Sequence, residues 1–340
     1  MSGRDIQYTG KFYGDGSFFY FCGGFMEMVM LNDGNIKSLI RERAIELGFE
    51  ACGFARAGEV EADAVLQYDR WIGQGKHDCM LYAERYREQR NDVRLFCPGA
   101  KTVICLALNY KPAVLQAKGA AQISQYAYGR DYHLVMREKL ERLAEFIGEK
   151  WGASSRVCVD TAPIMEKYWA RKAGIGFVGR NNLLILPGKG SYFFLGELVT
   201  SLDVEPDEEC KDGCVGCDEC VRRCPGGALA DRDSLDARRC LSCQLIERRD
   251  ELPEWVTGVI GDRLYGCDEC QVCCPHNRDA VPTVVEDFAP SSDVLSLSLD
   301  DVLEMTPERF ASLFKKSAIK RVKLVNLQRN AQCVADGRKR

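Results

Sequence analysis

The residues best suited to chemistry are cysteines at a fixed spacing. Cys214-x2-Cys217-x2-Cys220-x3-Cys224-Pro225 has the spacing of a bacterial ferredoxin run. Three closely spaced thiolates hold one [4Fe–4S] cubane, and the cysteine before proline reaches a second cubane. A second run, Cys267-x2-Cys270-x3-Cys274-Pro275, differs in spacing and also contains Cys273. The two Cys-Pro pairs imply crossed ligation. Cluster one takes Cys214, Cys217, Cys220 and Cys274. Cluster two takes Cys224, Cys267, Cys270 and either Cys240 or Cys273. Cys273 adjoins Cys274, and neighbouring residues rarely face separate clusters, which favours Cys240. Structural zinc is the competing reading, but four-cysteine zinc sites use two separate short-spaced pairs rather than a triple run ending in Cys-Pro. Two adjoining clusters conduct single electrons and imply an acceptor elsewhere in the chain.

A second candidate is Asp160, in Val157-Cys158-Val159-Asp160-Thr161-Ala162-Pro163, where a strand gives way to a helix. Acids at such strand ends often do chemistry, and one here can deliver a proton as electrons arrive. The simpler role is a cap on the following helix, filled by Asp160 or Thr161. Gly174-Ile175-Gly176-Phe177-Val178-Gly179-Arg180 follows a helix and precedes a strand, the reverse of a dinucleotide fingerprint. Its glycines still leave room for backbone to approach a large flat cofactor. The chain has three histidines, His77, His133 and His276, and none forms a paired metal motif. The run Tyr128-Gly129-Arg130-Asp131-Tyr132-His133 either lines a pocket or caps a helix start.

The elements that must position these groups are legible in the periodicity. Helices are expected over Asn35–Leu47, Ala62–Ile72, Tyr132–Trp151 and Pro163–Ala173. Strands are expected over Phe49–Phe54, Lys101–Asn109 and Arg156–Val159. Asn182–Leu186 and Tyr192–Leu202 read as a hairpin around Pro187-Gly188-Lys189-Gly190. This alternation predicts an α/β or α+β unit over residues 31–205, then a ferredoxin-like unit over 206–285 and a short basic helical segment over 286–340. The whole is α+β in class. Residues 1–30 read as an extension: up to residue 25 they lack helical or strand period, and Met26, Met28 and Met30 are alternative starts.

Composition narrows the classes further. Of 18 cysteines, 11 lie between Cys210 and Cys274, which points to one shared site. No apolar run is long enough to span a membrane, and no export signal precedes the chain, so a cytoplasmic setting with reduced or metal-bound thiols is expected. A net charge of −4 does not advertise nucleic-acid binding. The tail is nevertheless basic, with Lys315, Lys316, Lys320, Arg321, Lys323, Arg329, Arg338, Lys339 and Arg340. Such a run is either a solvated helix face or a phosphate-binding surface.

Seven stretches resemble the epoxyqueuosine reductase family, cobalamin-dependent iron–sulfur enzymes of queuosine tRNA modification. They are YGRDYH (128–133), VDTAPIMEKYWARKAGIGFVGRNN (159–182), GSYFFLGEL (190–198), CVGCDECVRRCPGGAL (214–229), LDARRCLSCQLIE (235–247), GDRLYGCDECQVCCPHN (261–277) and SAIKR (317–321). The resemblance implies that the chain reduces the epoxide of epoxyqueuosine at the tRNA wobble position. Electrons would pass from an external donor of flavodoxin or ferredoxin type through two [4Fe–4S] clusters to cobalamin, held base-off. It implies Asp160 as proton donor and selects Cys240 as the eighth ligand, leaving Cys243 and Cys273 as extra thiols. By the same resemblance, cobalamin lies against Asn181, Leu184 and Leu195 on one side and Ser242 and the Cys267-Asp268 turn on the other. Many members carry a helical-repeat domain after the SAIKR segment that helps hold tRNA. Here the chain ends soon after it, so salt-dependent binding through the basic tail is expected. Two other readings compete: a ferredoxin-like electron carrier, which needs neither the long first domain nor the VDTAP segment, and a corrinoid reductive dehalogenase, which usually carries a twin-arginine signal that is missing here.

Overall fold

The computed structural model describes residues 10–12, 17–22, 25–30, 33–211, 213–231 and 234–339. Eleven strands are described: β1 Gly10–Phe12, β2 Ser17–Cys22, β3 Phe25–Met30, β4 Ala51–Arg56, β5 Thr102–Asn109, β6 Gln122–Ile123, β7 Ser155–Cys158, β8 Phe177–Val178, β9 Leu184–Ile185, β10 Phe193–Thr200 and β11 Arg263–Tyr265. The expectation of no strand before residue 25 is corrected. Strands β1, β2 and β3 form an antiparallel sheet with Phe18 opposite Val29. Phe18, Phe19, Tyr20 and Phe21 are strong strand formers, and that composition was the overlooked signal.

The central sheet runs β4-β5-β10-β7 and every pairing in it is antiparallel, which makes the class α+β. All eight residues of β5 are buried, because helices cover both faces of the sheet. The helix Tyr132–Trp151 covers one face. Asp131 caps it by accepting the His133 N–H at 3.0 Å, and Gly152 ends it at φ +67°. Its buried residues Val135, Met136, Leu140, Leu143 and Ile147 form a helical-period stripe. That stripe lies so close to β10 that a carbon added at Gly196 would fall 2.6 Å from Met136 Cε. The helix Glu166–Lys172 covers the other face, with Trp169 and Ala170 buried. Each large aliphatic side chain buried here contributes about 2 kcal/mol.

The expected hairpin over 182–202 does not form. Strand β9 pairs with β8, Val178 opposite Leu184, while β10 lies between β5 and β7. Only the bridge Leu186–Gly190 remains of the hairpin. This also explains the glycines of the 174–180 loop. A carbon on Gly176 would fall 2.5 Å from the Ile185 carbonyl oxygen, and one on Gly179 2.5 Å from Ile185 Cδ1. The space they leave is filled by the protein's own strand.

The cysteine-rich part and the C-terminal helices share one apolar core. Leu241, Leu245, Leu264 and Tyr265 pack with Ile319, Val322, Leu327 and Val334. Ala121, Ile123 and Tyr128 join them, and β6 pairs in parallel with β11. The loop from β5 to the helix at Tyr132 therefore binds the first unit to the cysteine-rich one. Asn330 fastens the last helix by donating to the carbonyls of Leu245 and Leu264, each at 2.9 Å.

Candidate functional site

Asp160 follows β7 with φ +54°, a left-handed conformation that aspartate tolerates better than bulky residues. The next helix starts at Glu166, six residues on, and is preceded by Met165, so Asp160 does not cap it. Instead the Asp160 N–H donates to the Glu166 carboxylate, which holds the turn. The Asp160 carboxylate faces His133, whose Nε2 is 3.1 Å from Oδ2. The other ring nitrogen, Nδ1, is 2.8 Å from Asp131 Oδ1. Asp131 thus caps the helix and orients the ring, so both readings of the 128–133 segment hold.

Burial works against charge on this pair, and the partners overcome it. Burial lowers the His133 pKa, but its hydrogen bonds to Asp131 and Asp160 and the charges of those carboxylates raise it to about 9. Burial raises the Asp160 pKa, yet the hydrogen bond and charge of His133, the Arg321 charge and the Tyr132 hydroxyl hold it below the ordinary value. At neutral pH the shared proton therefore rests on His133, and Asp160 is ionised. Sequence reasoning named Asp160 but not this partner, which lies 27 positions away.

Two further acids lie behind. Burial first, and then the Asp160 charge, push Glu166 up to about 7. Glu197, on β10 opposite Cys158, is fully buried, and neither carboxylate oxygen has a hydrogen-bond partner among the described residues. Burial, and then the charges of Glu166 and Asp160, keep its pKa well above the ordinary value. Lys167 donates to the Asn182 carbonyl at 2.8 Å, and burial lowers its pKa to about 8.

Asp160 and His133 open onto a cavity of about 620 Å³. Tyr82, Tyr126, Tyr132 and Tyr265 line it with Ile246. Its rim carries Arg137, Lys316, Lys320 and Arg321, so part of the basic tail faces this space. Arg321 pairs with Glu247 at 2.8 Å and lies 5.8 Å over the Tyr82 ring. The rest of the tail splits. Arg329 donates to the carbonyls of Arg248 and Asp250, and Arg338 pairs with Asp262 at 2.6 Å, so these two are structural.

The cysteines fall into two electrostatic neighbourhoods. Cys274 is pushed up by burial and then by Cys214 and Cys217, and Cys220 by burial and then by Cys214 and Cys274. Cys270 is pushed up by burial and then by Cys267, Cys240 and Cys224. Cys273 belongs with the first neighbourhood: after burial, Cys220 raises its pKa. Short helices Glu219–Arg223 and Glu269–Val272 present the two runs, and the Asp268 carboxylate accepts from Ser124 and from the Gln125 N–H.

The residues expected around cobalamin lie outside the cavity lining. Asn181 is buried and donates to the Cys270 carbonyl at 3.1 Å, tying its loop to the second cysteine run. Asp268 is spent on the 124–125 backbone and side chain in the same way. Leu184 is buried, whereas Leu195, Ser242 and Cys267 keep partial exposure. Of the three histidines, His77 pairs with Glu84, His133 with the two aspartates, and the His276 ring packs edge-on against Phe177.

Comparison with known proteins finds two matched regions. Residues 90–161 match the family described as "Epoxyqueuosine reductase QueG, DUF1730", and residues 213–277 match "4Fe-4S double cluster binding domain". An epoxyqueuosine reductase of Cellulophaga algicola is 40% identical over 293 residues, covering 86% of this chain and 95% of its own. That of Escherichia coli is 35% identical over 298 residues, covering 86% and 78%. The crystal structure of an epoxyqueuosine reductase with an epoxyqueuosine-modified tyrosine tRNA stem loop superposes with TM-score 0.80 at 30% identity, over 89% of this chain and 81% of that one. The Bacillus subtilis enzyme, solved with the loop of its catalytic aspartate swung out of the active site, gives 0.79 at 29%, over 89% and 82%. With relatives this similar over more than three quarters of their length, the chain belongs to the epoxyqueuosine reductase family.

Proposed function

We propose that this protein reduces the epoxide of epoxyqueuosine in tRNA to give queuosine. The observation that carries the reading is the His133–Asp160 pair at the mouth of the cavity, within a chain of this family that also holds a double-cluster domain. Removing an epoxide oxygen takes two electrons and two protons and releases water. The clusters, when present, supply electrons singly, and bound cobalamin supplies their transfer to the substrate.

The chain's own residues handle the proton and the substrate. As negative charge develops on the epoxide oxygen, the proton on His133 Nε2 passes through Asp160 Oδ2 to it. Asp131 keeps the imidazole in the orientation this needs. Tyr82 and Tyr132 wall the space, and Arg137, Lys316 and Lys320 meet tRNA phosphates. Glu166 holds the Asp160 turn through its backbone, a turn that moves in the Bacillus subtilis relative.

Cluster one is held by Cys214, Cys217, Cys220 and Cys274, and cluster two by Cys224, Cys240, Cys267 and Cys270. Leu184, Leu195, Ser242 and the Cys267-Asp268 turn hold cobalamin, with Asn181 positioning the loop. In this division residues 31–205 carry the acid pair, 206–285 the clusters and 286–340 the basic rim. An external donor of flavodoxin or ferredoxin type supplies the electrons, and the tRNA substrate sets the reaction in the cytoplasm. No helix among the described residues is long and apolar enough to cross a membrane.

The test is anaerobic purification with supplied cobalamin, followed by iron, sulfide and corrinoid analysis. About eight irons and one corrinoid per chain are expected. Iron at that level with no corrinoid bound would overturn the cobalamin assignment and leave an electron carrier.

A further inference from the structure

Two cysteines outside the proposed cluster ligands meet at the seam between the first unit and the cysteine-rich one. Cys79 Sγ lies 3.9 Å from Cys243 Sγ, across 164 positions of sequence. A disulfide requires about 2.05 Å between sulfurs, so closing the pair takes a movement of side-chain size. The segment around Cys79 is well anchored against its partner unit. Trp71 Nε1 donates to the Leu235 carbonyl at 2.7 Å, and the Ala237 N–H donates to the Lys76 carbonyl at 2.8 Å. The two thiols are therefore held facing each other rather than meeting by chance fluctuation.

A metal is the alternative occupant, since Asp78, Cys79 and Cys243 bring ligand atoms within 4.8 Å of one another. The surroundings argue against it. Both oxygens of Asp78 accept from Arg248 Nη2 at 2.9 Å, and Oδ2 also accepts from Gln244 Nε2 at 2.7 Å. A cation would have to displace that guanidinium and then sit beside it. The Arg248 charge acts on Cys79 and suits thiolate chemistry at that sulfur instead.

We propose that Cys79 and Cys243 are a redox-active dithiol that closes reversibly to a disulfide, oxidised by low-molecular-weight disulfides of the glutathione disulfide class. Cys79 keeps partial exposure while Cys243 is buried, so Cys79 meets the oxidant first. The hydrogen bond shared with Cys243, in which either thiol can donate, and the Arg248 charge lower the Cys79 pKa against burial and Asp78, whereas that same bond and burial raise the Cys243 pKa. The Cys79 thiolate attacks the small disulfide, forms a mixed disulfide and expels one small thiolate. Cys243 then gives up its proton and attacks the Cys79 sulfur, expelling the second. The protein loses two electrons and two protons, and the small disulfide becomes two small thiols.

The bond would tie together two segments that line the cavity. Tyr82, three residues after Cys79, and Ile246, three residues after Cys243, both line it. Cys243 also lies in the helix Leu241–Ile246, which begins directly after Cys240. An oxidising shift would thus be registered beside the most oxidant-sensitive part of the molecule. Cytosolic disulfides are as a rule of this transient, sensing kind.

The test uses the intact, cluster-loaded protein under anaerobic conditions. It is equilibrated with graded ratios of reduced and oxidised glutathione, and free thiols are then alkylated and peptides analysed by mass spectrometry. The expected result is loss of two alkylatable thiols at a single midpoint, as one Cys79–Cys243 disulfide. Dithiothreitol should reverse it, the iron content should not change, and Cys79→Ser should not form it. Cys79 and Cys243 both remaining alkylatable, or each carrying a separate glutathione, would overturn the proposal without recourse to any variant. So would a non-iron metal bound at one per chain and lost in Cys79→Ser. None of these outcomes depends on the tRNA reaction, so the dithiol and the reductase reading stand or fall separately.

Discussion

His133 stands between two carboxylates, with Nε2 3.1 Å from Asp160 and Nδ1 2.8 Å from Asp131. That relationship places the proton of the acid pair on the imidazole and has a direct consequence for pH dependence. The His133 pKa is raised to about 9, so its proton is present below that value and lost above it. Turnover should therefore fall on the alkaline side with an apparent midpoint near 9. In His133→Gln that limb should disappear along with most of the rate. A single-turnover pH profile of the two proteins checks this, and an unchanged alkaline limb in the variant would remove His133 from the proton path.

The same pair bears on stability. A raised histidine pKa contributes stability that is fully present below the ordinary value of about 6.5 and lost as pH rises through about 9. The lowered pKa values of Asp131 and Asp160 contribute above the ordinary carboxylate range and are lost in acid. Thermal unfolding of wild type and His133→Gln should therefore differ most between these limits and converge above pH 9. A constant difference across the range would assign the loss to packing.

For the cluster ligands, Cys240→Ser should lower the iron content by up to half, whereas Cys273→Ser should leave it intact. The neighbourhoods of the two thiols motivate the contrast, since Cys240 lies with Cys270 and Cys224, and Cys273 with Cys220. Iron and sulfide analysis with cluster spectra decides it. The reverse pattern would exchange the two residues.

Lys316 and Lys320 face the cavity and are the side chains best placed for phosphate. Replacing both by glutamine should weaken tRNA binding and lower the slope of log K against log salt by about two units. The slope from binding curves at several salt concentrations is the readout. A slope equal to wild type would move the tRNA contact elsewhere.

Asn330→Ala should destabilise the protein by about 2 kcal/mol, because it leaves two buried carbonyls without a donor. Denaturant unfolding measures this, and a loss within error of zero would mean that water replaces the amide.

Much of this was legible in the sequence, where local signals agreed. The helix Tyr132–Trp151 has the expected limits, since Asp131, the apolar stripe and Gly152 all mark it. Asp160 and the cysteine runs stood out by type and spacing. Long-range register was not legible. The turn at 187–190 suggested a hairpin, but β9 pairs with β8 and β10 is drawn between β5 and β7, a choice made by the whole sheet. The partner of Asp160 was hidden for the same reason, as were the buried acid Glu197 and the Cys79–Cys243 pair. Each depends on residues brought together from distant segments, which no local pattern encodes.

The most direct test of the account compares wild type and Asp160→Asn, both loaded with clusters and cobalamin, on tRNA carrying epoxyqueuosine under a strong reductant. Nucleosides from the digested tRNA are then read by mass spectrometry. Wild type should convert epoxyqueuosine to queuosine with loss of one oxygen. Asp160→Asn, with unchanged iron and corrinoid, should be slower by about 10²–10⁴-fold. No queuosine from fully loaded wild type would contradict the function, and equal rates in the two proteins would contradict the role of Asp160.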